Sequence, residues 1–163
     1  DVYVYDPLDD AWHEGTPMET ARYDGGAVSL ADKIVVLGGR NEGGALKEAQ
    51  AYYPSRDGNG ESPWEDFPEL PEPMFGFGVG SVSDTIFVVG MINREGLQEE
   101  IGFIYADNLW GSFYLYKENL SYNPTLISLN SIIYIFSTSD EFLSTELWHY
   151  RANIYEIYIP FIP

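Results

Sequence analysis

The stretch Lys33-Ile34-Val35-Val36-Leu37-Gly38-Gly39 decides the fold of this chain. Its β-branched run predicts a buried strand, because branched side chains pack well on a pleated surface. The glycine pair then lets the backbone turn sharply. The stretch recurs, so this strand is one copy of a repeat. The other copies are Thr85-Ile86-Phe87-Val88-Val89-Gly90-Met91, which keeps one glycine, and Ser131-Ile132-Ile133-Tyr134-Ile135-Phe136-Ser137, which has none.

Aromatic residues recur at fixed distances from these copies. A tryptophan precedes the first isoleucine of each copy by 22 residues, and a tyrosine follows that isoleucine by 19, 19 and 18 residues. The repeat is therefore 52 and then 46 residues long. A period of about 50 residues with a strand, a Gly pair, a Tyr and a Trp predicts the blades of a β-propeller. In chain order the landmarks are Trp12, Ile34, Tyr53, Trp64, Ile86, Tyr105, Trp110, Ile132 and Tyr150.

The strand pattern around each copy predicts four antiparallel strands per blade. A small-residue strand precedes the β-branched one, which suits the crowded strands beside a propeller's central channel. We expect an all-β propeller of about three and a half blades, and a ring needs more than that. The remaining blades would come from a second copy, another chain or an upstream segment, since the chain starts at Asp1 inside a strand pattern. The predicted units are an outer half-blade at 1–16 and blades at 17–69, 70–116 and 117–163.

The same landmarks resemble the kelch repeat family. Its pattern of a Gly-Gly strand end, a Tyr-Asp-Pro turn, a Trp, a Pro-Met and an Arg is matched by Gly38-Gly39, Tyr5-Asp6-Pro7, Trp12, Pro17-Met18 and Arg22. The second copy keeps Gly90, Tyr53-Pro54, Trp64 and Pro73-Met74, and the third keeps Tyr105, Trp110 and the apolar strand. The resemblance implies a kelch-type β-propeller with four antiparallel strands per blade and, most often, a role in protein binding.

The composition narrows the classes of function. The chain has 26 acidic and 8 basic residues, a net charge of −18 and no cysteine. Such a charge repels nucleic acid and anionic bilayers at long range, so no nucleic-acid partner is predicted. A solvated acidic surface that needs no ligand explains the net negative charge. A basic partner or a bound cation is the alternative explanation. No stretch is apolar and long enough to span a membrane.

Polar triplets follow the three β-branched strands. In an up-and-down blade the loop after the second strand and the connection between blades open on one face. We therefore expect the triplets to line one rim of the channel, where a convergent polar set can bind a peptide or a sugar. Solvated turn residues are the alternative, because loops are polar whether or not they bind a partner. The triplets are Arg40-Asn41-Glu42, Asn93-Arg94-Glu95 and Ser139-Asp140-Glu141.

Other candidates for chemistry are weaker. Asp57, Asn59 and Glu61 alternate with glycines as calcium ligands do, although a flexible polar loop has the same composition. Copper oxidases built on kelch-like propellers need a Tyr–Cys crosslink and several histidines, and this chain has no cysteine and only His13 and His149. The aligned Trp and Tyr residues predict blade core rather than a ligand-stacking site.

These observations lead to one function and one alternative. We expect a non-catalytic propeller without a cofactor that binds or scaffolds protein partners through its rim loops. A carbohydrate-binding or glycan-processing extracellular propeller is the alternative. A glycan site needs exposed aromatic residues on the rim, and the predicted rim loops hold few.

Overall fold

The computed structural model describes residues 1–94, 97–113, 115, 120, 123–138 and 145–151. Two of the sequence-based expectations lie outside these residues. They are the rim residues Glu95, Ser139, Asp140 and Glu141, and residues 152–163 at the end of the predicted blade 117–163. Within the described part, no helix is long and apolar enough to cross a membrane.

Fifteen strands and one short 3₁₀ helix, Pro54–Arg56, make up the regular structure of the described residues. The strands are β1 Val2–Asp6, β2 Ala11–Gly15, β3 Gly26–Leu30, β4 Lys33–Leu37, β5 Arg40–Asn41, β6 Gly44–Ala45, β7 Ala49–Tyr52, β8 Trp64–Phe67, β9 Gly78–Val82, β10 Thr85–Arg94, β11 Leu97–Ala106, β12 Leu109–Phe113, β13 Thr125–Leu129, β14 Ile132–Thr138 and β15 Thr145–Arg151.

The strands form consecutive antiparallel sheets. The first blade has the order β3-β4-β7-β8 and the second β12-β11-β10-β9, while the described strands of the third are β13-β14-β15. The hairpin β1-β2 is the predicted half-blade, and β5-β6 is a two-residue ribbon between the inner and outer strands of the first blade. The all-β, kelch-type propeller architecture is thereby confirmed. The four unit boundaries stay a prediction.

Tight turns fix the register of the inner strands. Leu30 pairs with Lys33, Val82 with Thr85, and Leu129 with Ile132, so two residues close each turn. The first of these two residues has a φ of 51°, 53° or 51° in the three blades. Such left-handed backbone matches the twist of a hairpin, which is why short polar or small residues occupy these turns. They are Ala31, Ser83 and Asn130.

Two tyrosine landmarks of the sequence pattern are shifted by a residue, and one of them is Tyr150, which lies opposite Ile133 and not Ile132. In the first blade Tyr52, and not Tyr53, lies opposite Ile34, as Tyr105 lies opposite Ile86 in the second. Consecutive residues of a strand point to opposite faces, so a slip of one residue exchanges the buried Tyr52 ring for the half-buried Tyr53 ring. Because Tyr52 and Tyr53 are adjacent, the sequence alone does not show which of them lies opposite Ile34.

The core lies between the blades in two clusters. The first joins the inner faces of the first and second blades, and the second joins the second and third blades. Because each cluster draws on two sheets, neighbouring blades stabilise one another. The first cluster includes Val28, Leu30, Val35, Leu37, Met74, Phe77, Ile86 and Val88. The second includes Val82, Phe87, Val89, Ile104, Ile133 and Ile135.

Candidate functional site

The connections at one end of the blades are joined by hydrogen bonds into a continuous surface, which we call the rim face. It consists of residues 17–25, 38–48 and 68–77. Tyr23 and Arg40 exchange two backbone hydrogen bonds, with N–O distances of 3.0 and 2.8 Å. The amide of Gly39 donates to the Met74 carbonyl at 2.8 Å, and the amide of Gly76 donates to the Asp24 carbonyl at 2.9 Å. Backbone hydrogen bonds therefore join the three connections of the rim face, although they are loops.

Arg40 is the centre of the described rim face. Its guanidinium lies between the rings of Tyr23 and Phe75, 4.9 and 4.6 Å from their centroids. Its Nε and Nη2 atoms both donate to one carboxylate oxygen of Asp24, at 2.9 and 2.7 Å. A guanidinium stacked on rings and paired with a carboxylate is held in one orientation. Arg40 is thus a fixed element of the rim and not a loose surface charge.

The neighbours of Arg40 have different roles. The amide oxygen of Asn41 accepts a hydrogen bond from the Gly43 backbone N–H at 2.8 Å, which closes the turn between β5 and β6. Glu42 lies exposed at the tip of this ribbon. The Tyr23 ring is 57% exposed. The first predicted triplet therefore contributes a clamped cation, a turn-closing amide and an accessible carboxylate.

The second triplet lies in a strand and not in a loop. Asn93 and Arg94 are the last residues of β10, and Arg94 pairs with Leu97 at the start of β11. The hairpin is longer than expected because Ile92, which is buried, packs in the core between the first two blades. Only Glu95 of this triplet lies outside the described residues, as the whole third triplet does.

Arg22, the arginine of the kelch pattern, has a structural role beneath the rim face. Its Nη1 donates to the carbonyl oxygens of Gly38 and Glu48, at 3.1 and 2.7 Å. These two carbonyls lie at the ends of β4 and β7 just where the strands separate, so Arg22 ties the rim loop to the sheet. Burial lowers the pKa of the Arg22 guanidinium from its usual range.

Sequence reasoning missed the aromatic partners of Arg40. Tyr23 and Phe75 belong to connections between blades, which the repeat pattern treats only as links. They come from 17 residues before and 35 residues after Arg40, so only the fold brings them together. The available signal was their position, because each follows a Pro-Met landmark in a connection that opens on the same face as the Arg40 loop.

Asp57 joins the half-blade to the first blade. One of its carboxylate oxygens accepts from the Thr16 hydroxyl at 2.6 Å, and the other accepts from the Thr16 amide and the Tyr52 hydroxyl at 3.0 and 2.5 Å. These bonds lower the pKa of Asp57, with the Thr16 hydroxyl the largest cause. Burial, followed by the bond to Asp57, raises the pKa of Tyr52 to about 12.

The candidate calcium residues lie in the same loop. Asp57 is engaged as described, and the Asn59 side-chain amide donates to the Ser55 carbonyl at 2.6 Å. Glu61 is exposed. Among the described residues, no group of three or more His, Asp or Glu side chains is placed to hold a metal ion. Calcium binding by Asp57, Asn59 and Glu61 stays a prediction.

Comparison with known proteins agrees with the blade geometry. The chain is 32% identical to Kelch-like protein 36 of Bos taurus over 89 residues, which is 55% of this chain. It is 39% identical to Kelch-like protein 23 of Homo sapiens over 56 residues, 34% of this chain. An alignment with Kelch-like protein 40 of Mus musculus covers 93% of this chain at 27% identity. These three relatives are Kelch-like proteins, which agrees with the kelch resemblance of the repeat.

The chain matches only a small part of the length of these Kelch-like proteins. The chain covers 14% of the length of the bovine Kelch-like protein 36, 10% of the human Kelch-like protein 23 and 25% of the murine Kelch-like protein 40. No family model matches the chain.

Proposed function

We propose that this chain is a non-catalytic kelch module that binds a protein partner through its rim face. The kinship with Kelch-like proteins supports a role in protein interaction, and it does not favour the carbohydrate-binding alternative. The single observation that directs the proposal to the rim face is the arrangement of Tyr23, Arg40 and Phe75. Side chains that are already held in place bind a partner with a smaller entropy cost.

The proposed contact surface extends from the first blade to the others. Its centre is the exposed face of Tyr23, the edge of the Arg40 guanidinium and the Glu42 carboxylate. Aromatic and arginine side chains are the residue types that most often dominate protein interfaces. We propose that the same surface continues over the later rim positions, in agreement with the repeat. These are Asn93, Arg94, Glu95, Ser139, Asp140 and Glu141.

The chemistry of this centre favours a particular kind of peptide. Arg40 is neutralised by Asp24, so the rim face has no strong attraction for an acidic ligand. Glu42 and the net charge of −18 favour a basic residue in the partner. Tyr23 offers a flat apolar surface for an aliphatic or proline side chain. We therefore propose a peptide segment that carries an apolar residue next to a lysine or arginine.

Selection from random peptides tests this function and does not require a named partner. A phage-displayed library is selected on the immobilised 163-residue chain, and the binders are synthesised and measured by fluorescence anisotropy. We expect peptides with an apolar–basic pair. Tyr23→Ala and Glu42→Lys should each raise the dissociation constants of these peptides at least about tenfold, a loss of about 1.4 kcal/mol in binding free energy.

A matched variant separates the rim face from general charge effects. Glu61→Lys changes the charge as Glu42→Lys does, but Glu61 lies in the loop at the other end of β7 and β8. It should leave the dissociation constants within about twofold of the unmodified chain. Peptides that lose affinity equally in Glu42→Lys and Glu61→Lys, or that are indifferent to Tyr23→Ala, would contradict the proposal.

A further inference from the structure

Three dipeptides in this chain have a glycine directly after an aspartate or an asparagine. Asp24-Gly25 lies on the rim face, while Asp57-Gly58 and Asn59-Gly60 follow each other in the loop between β7 and β8. A glycine nitrogen can attack Cγ of the preceding side chain and close a cyclic imide, because glycine has no Cβ atom to block the approach. The three dipeptides therefore share one reaction and differ in how the fold holds them.

The fold restrains both aspartates. The Asp24 carboxylate is paired with the Arg40 guanidinium at 2.7 Å. The Asp57 carboxylate accepts hydrogen bonds from Thr16 and Tyr52. Such bonds favour the ionised form of a carboxyl group. Closure of the imide ring needs the neutral acid, so neither aspartate should react while the chain is folded.

Asn59 has much less restraint. It is exposed, and its Nδ2 atom donates to the Ser55 carbonyl oxygen at 2.6 Å. Among the described residues, no backbone carbonyl accepts the Gly60 N–H. Gly60 has a φ of 84°, and a Cβ atom placed there would have no atom within 4 Å. The Gly60 nitrogen therefore has the room that it needs to reach Cγ of Asn59.

We propose that Asn59 is a site of spontaneous deamidation. The Gly60 nitrogen bonds to Cγ of Asn59, the bond from Cγ to Nδ2 breaks, and Nδ2 leaves as ammonia with the proton from the Gly60 nitrogen. Water then opens the resulting succinimide at either of its carbonyl groups, which gives aspartate or isoaspartate at this position. The only co-reactant is water. This modification is independent of partner binding at the rim face.

The reaction changes the loop that contacts Thr16. The product carboxylate cannot donate to the Ser55 carbonyl as the Asn59 amide does, and it repels the nearby Asp57 carboxylate. Isoaspartate also lengthens the backbone of the turn in which the Asn59 N–H donates to the Arg56 carbonyl at 3.1 Å. Because Asp57 lies within this turn, we expect deamidation to weaken the bonds from Asp57 to Thr16.

Incubation of the folded 163-residue chain at mildly alkaline pH, followed by peptide mapping with mass spectrometry, tests the site. An isoaspartyl methyltransferase labels isoaspartate in the same samples. We expect conversion of the Asn59 amide to an acid at a rate within about fivefold of that in the urea-unfolded chain, because one exposed hydrogen bond is a weak restraint. Asn41 and Asn108 precede Glu42 and Leu109 and are internal controls that should stay intact.

Two variants separate the reaction from its effect on the fold. Asn59→Gln should prevent the conversion over the same period, because its side chain is longer by one carbon and closes a larger ring. Asn59→Asp, which carries one product from the start, should lower the melting temperature by roughly 2–4 °C, as the loss of about one hydrogen bond does in a chain of this size. In an Asp57→Ala background the same substitution should have no further effect.

The outcomes decide between a reactive and a protected loop. An Asn59 that stays intact in the folded chain while the unfolded chain deamidates would overturn the proposal, and so would equal conversion of Asn41. An unchanged melting temperature of Asn59→Asp would overturn the link to Asp57 and Thr16. Circular dichroism of each variant establishes that it is folded before these comparisons are made.

Discussion

The indole nitrogen of Trp64 lies 2.8 Å from the backbone carbonyl oxygen of Thr16, which precedes it by 48 residues. This bond connects the first blade to the end of the half-blade. The equivalent bond from Trp110 to Pro68 connects the second blade to the first. Trp64 and Trp110 are therefore interface residues between blades, and these matched contacts account for their shared position in the repeat.

Trp64→Ala should lower the free energy of unfolding by about 2–3 kcal/mol. The change removes the bond to Thr16 and the ring contact with Tyr52, but Trp64 is only partly buried, so the loss should be smaller than for a fully buried tryptophan. Urea denaturation at a protein concentration where the chain is monomeric gives the value.

Trp12→Ala is the control for this prediction. Trp12 makes the same kind of ring contact, with Tyr5, but bonds to no preceding blade among the described residues, so its removal should cost only about 0.5–1 kcal/mol. Equal losses in the two variants would show that contacts within a blade, and not those between blades, account for the effect of Trp64.

The Asp57–Tyr52 pair should make stability depend on pH at both extremes. The pKa of Asp57 is lowered in the folded chain, so its contribution is present above the unfolded pKa of about 3.9 and lost as the pH falls further. The pKa of Tyr52 is raised to about 12, so its contribution is present below about 10 and lost as the pH rises through the folded value.

Melting temperatures across pH should show these two limbs separately. Asp57→Asn should flatten the acid limb, and Tyr52→Phe should flatten the alkaline limb. Asp84→Asn, at an exposed inner turn, controls for the change in net charge that accompanies Asp57→Asn. Parallel pH profiles of the unmodified chain and both variants would show that this cluster does not link the half-blade to the first blade.

The sequence predicted the sheets and missed what the connections do. β-branched runs and aromatic spacing locate the strands, because these features depend on residues close together in the chain. The contact of Arg40 with Tyr23 and Phe75 depends on two connections folding onto one face. No local sequence pattern predicts that Tyr23 and Phe75 lie close to Arg40. The length of the β10–β11 hairpin was not predicted for a similar reason, since Ile92 is buried only through packing within the core between the first two blades.

Gly90→Ala should destabilise the chain by about 2 kcal/mol. A Cβ atom at Gly90 would lie 2.6 Å from Cβ of Phe77, which is closer than carbon atoms approach, and Phe77 is itself in the core. Overpacking of this kind typically costs about 1–3 kcal/mol. Gly111→Ala provides the comparison, because its Cβ would meet its nearest neighbour, Ile104, at 3.4 Å. Similar melting temperatures for the two variants would contradict the close packing of Phe77.

Arg40→Ala should lower the free energy of unfolding by about 1–2 kcal/mol, as expected for the loss of a stacked and paired guanidinium. The loss would exclude Arg40 as a simple surface residue, whose replacement changes stability by less than about 0.5 kcal/mol. Arg40→Lys keeps the charge but not the planar group between Tyr23 and Phe75, so it should recover only part of the loss.

Lys47→Ala is the comparison for Arg40→Ala. Lys47 forms an exposed ion pair with Glu69 at 2.5 Å on the same rim face, and exposed pairs contribute little to stability, so Lys47→Ala should cost less than Arg40→Ala. Salt separates the two further, because screening weakens the Lys47 pair but leaves the ring contacts of Arg40 in place. If Arg40→Lys were as stable as the unmodified chain, charge alone would explain the role of Arg40. The rim face would then lack the preorganised centre on which peptide binding is proposed to depend.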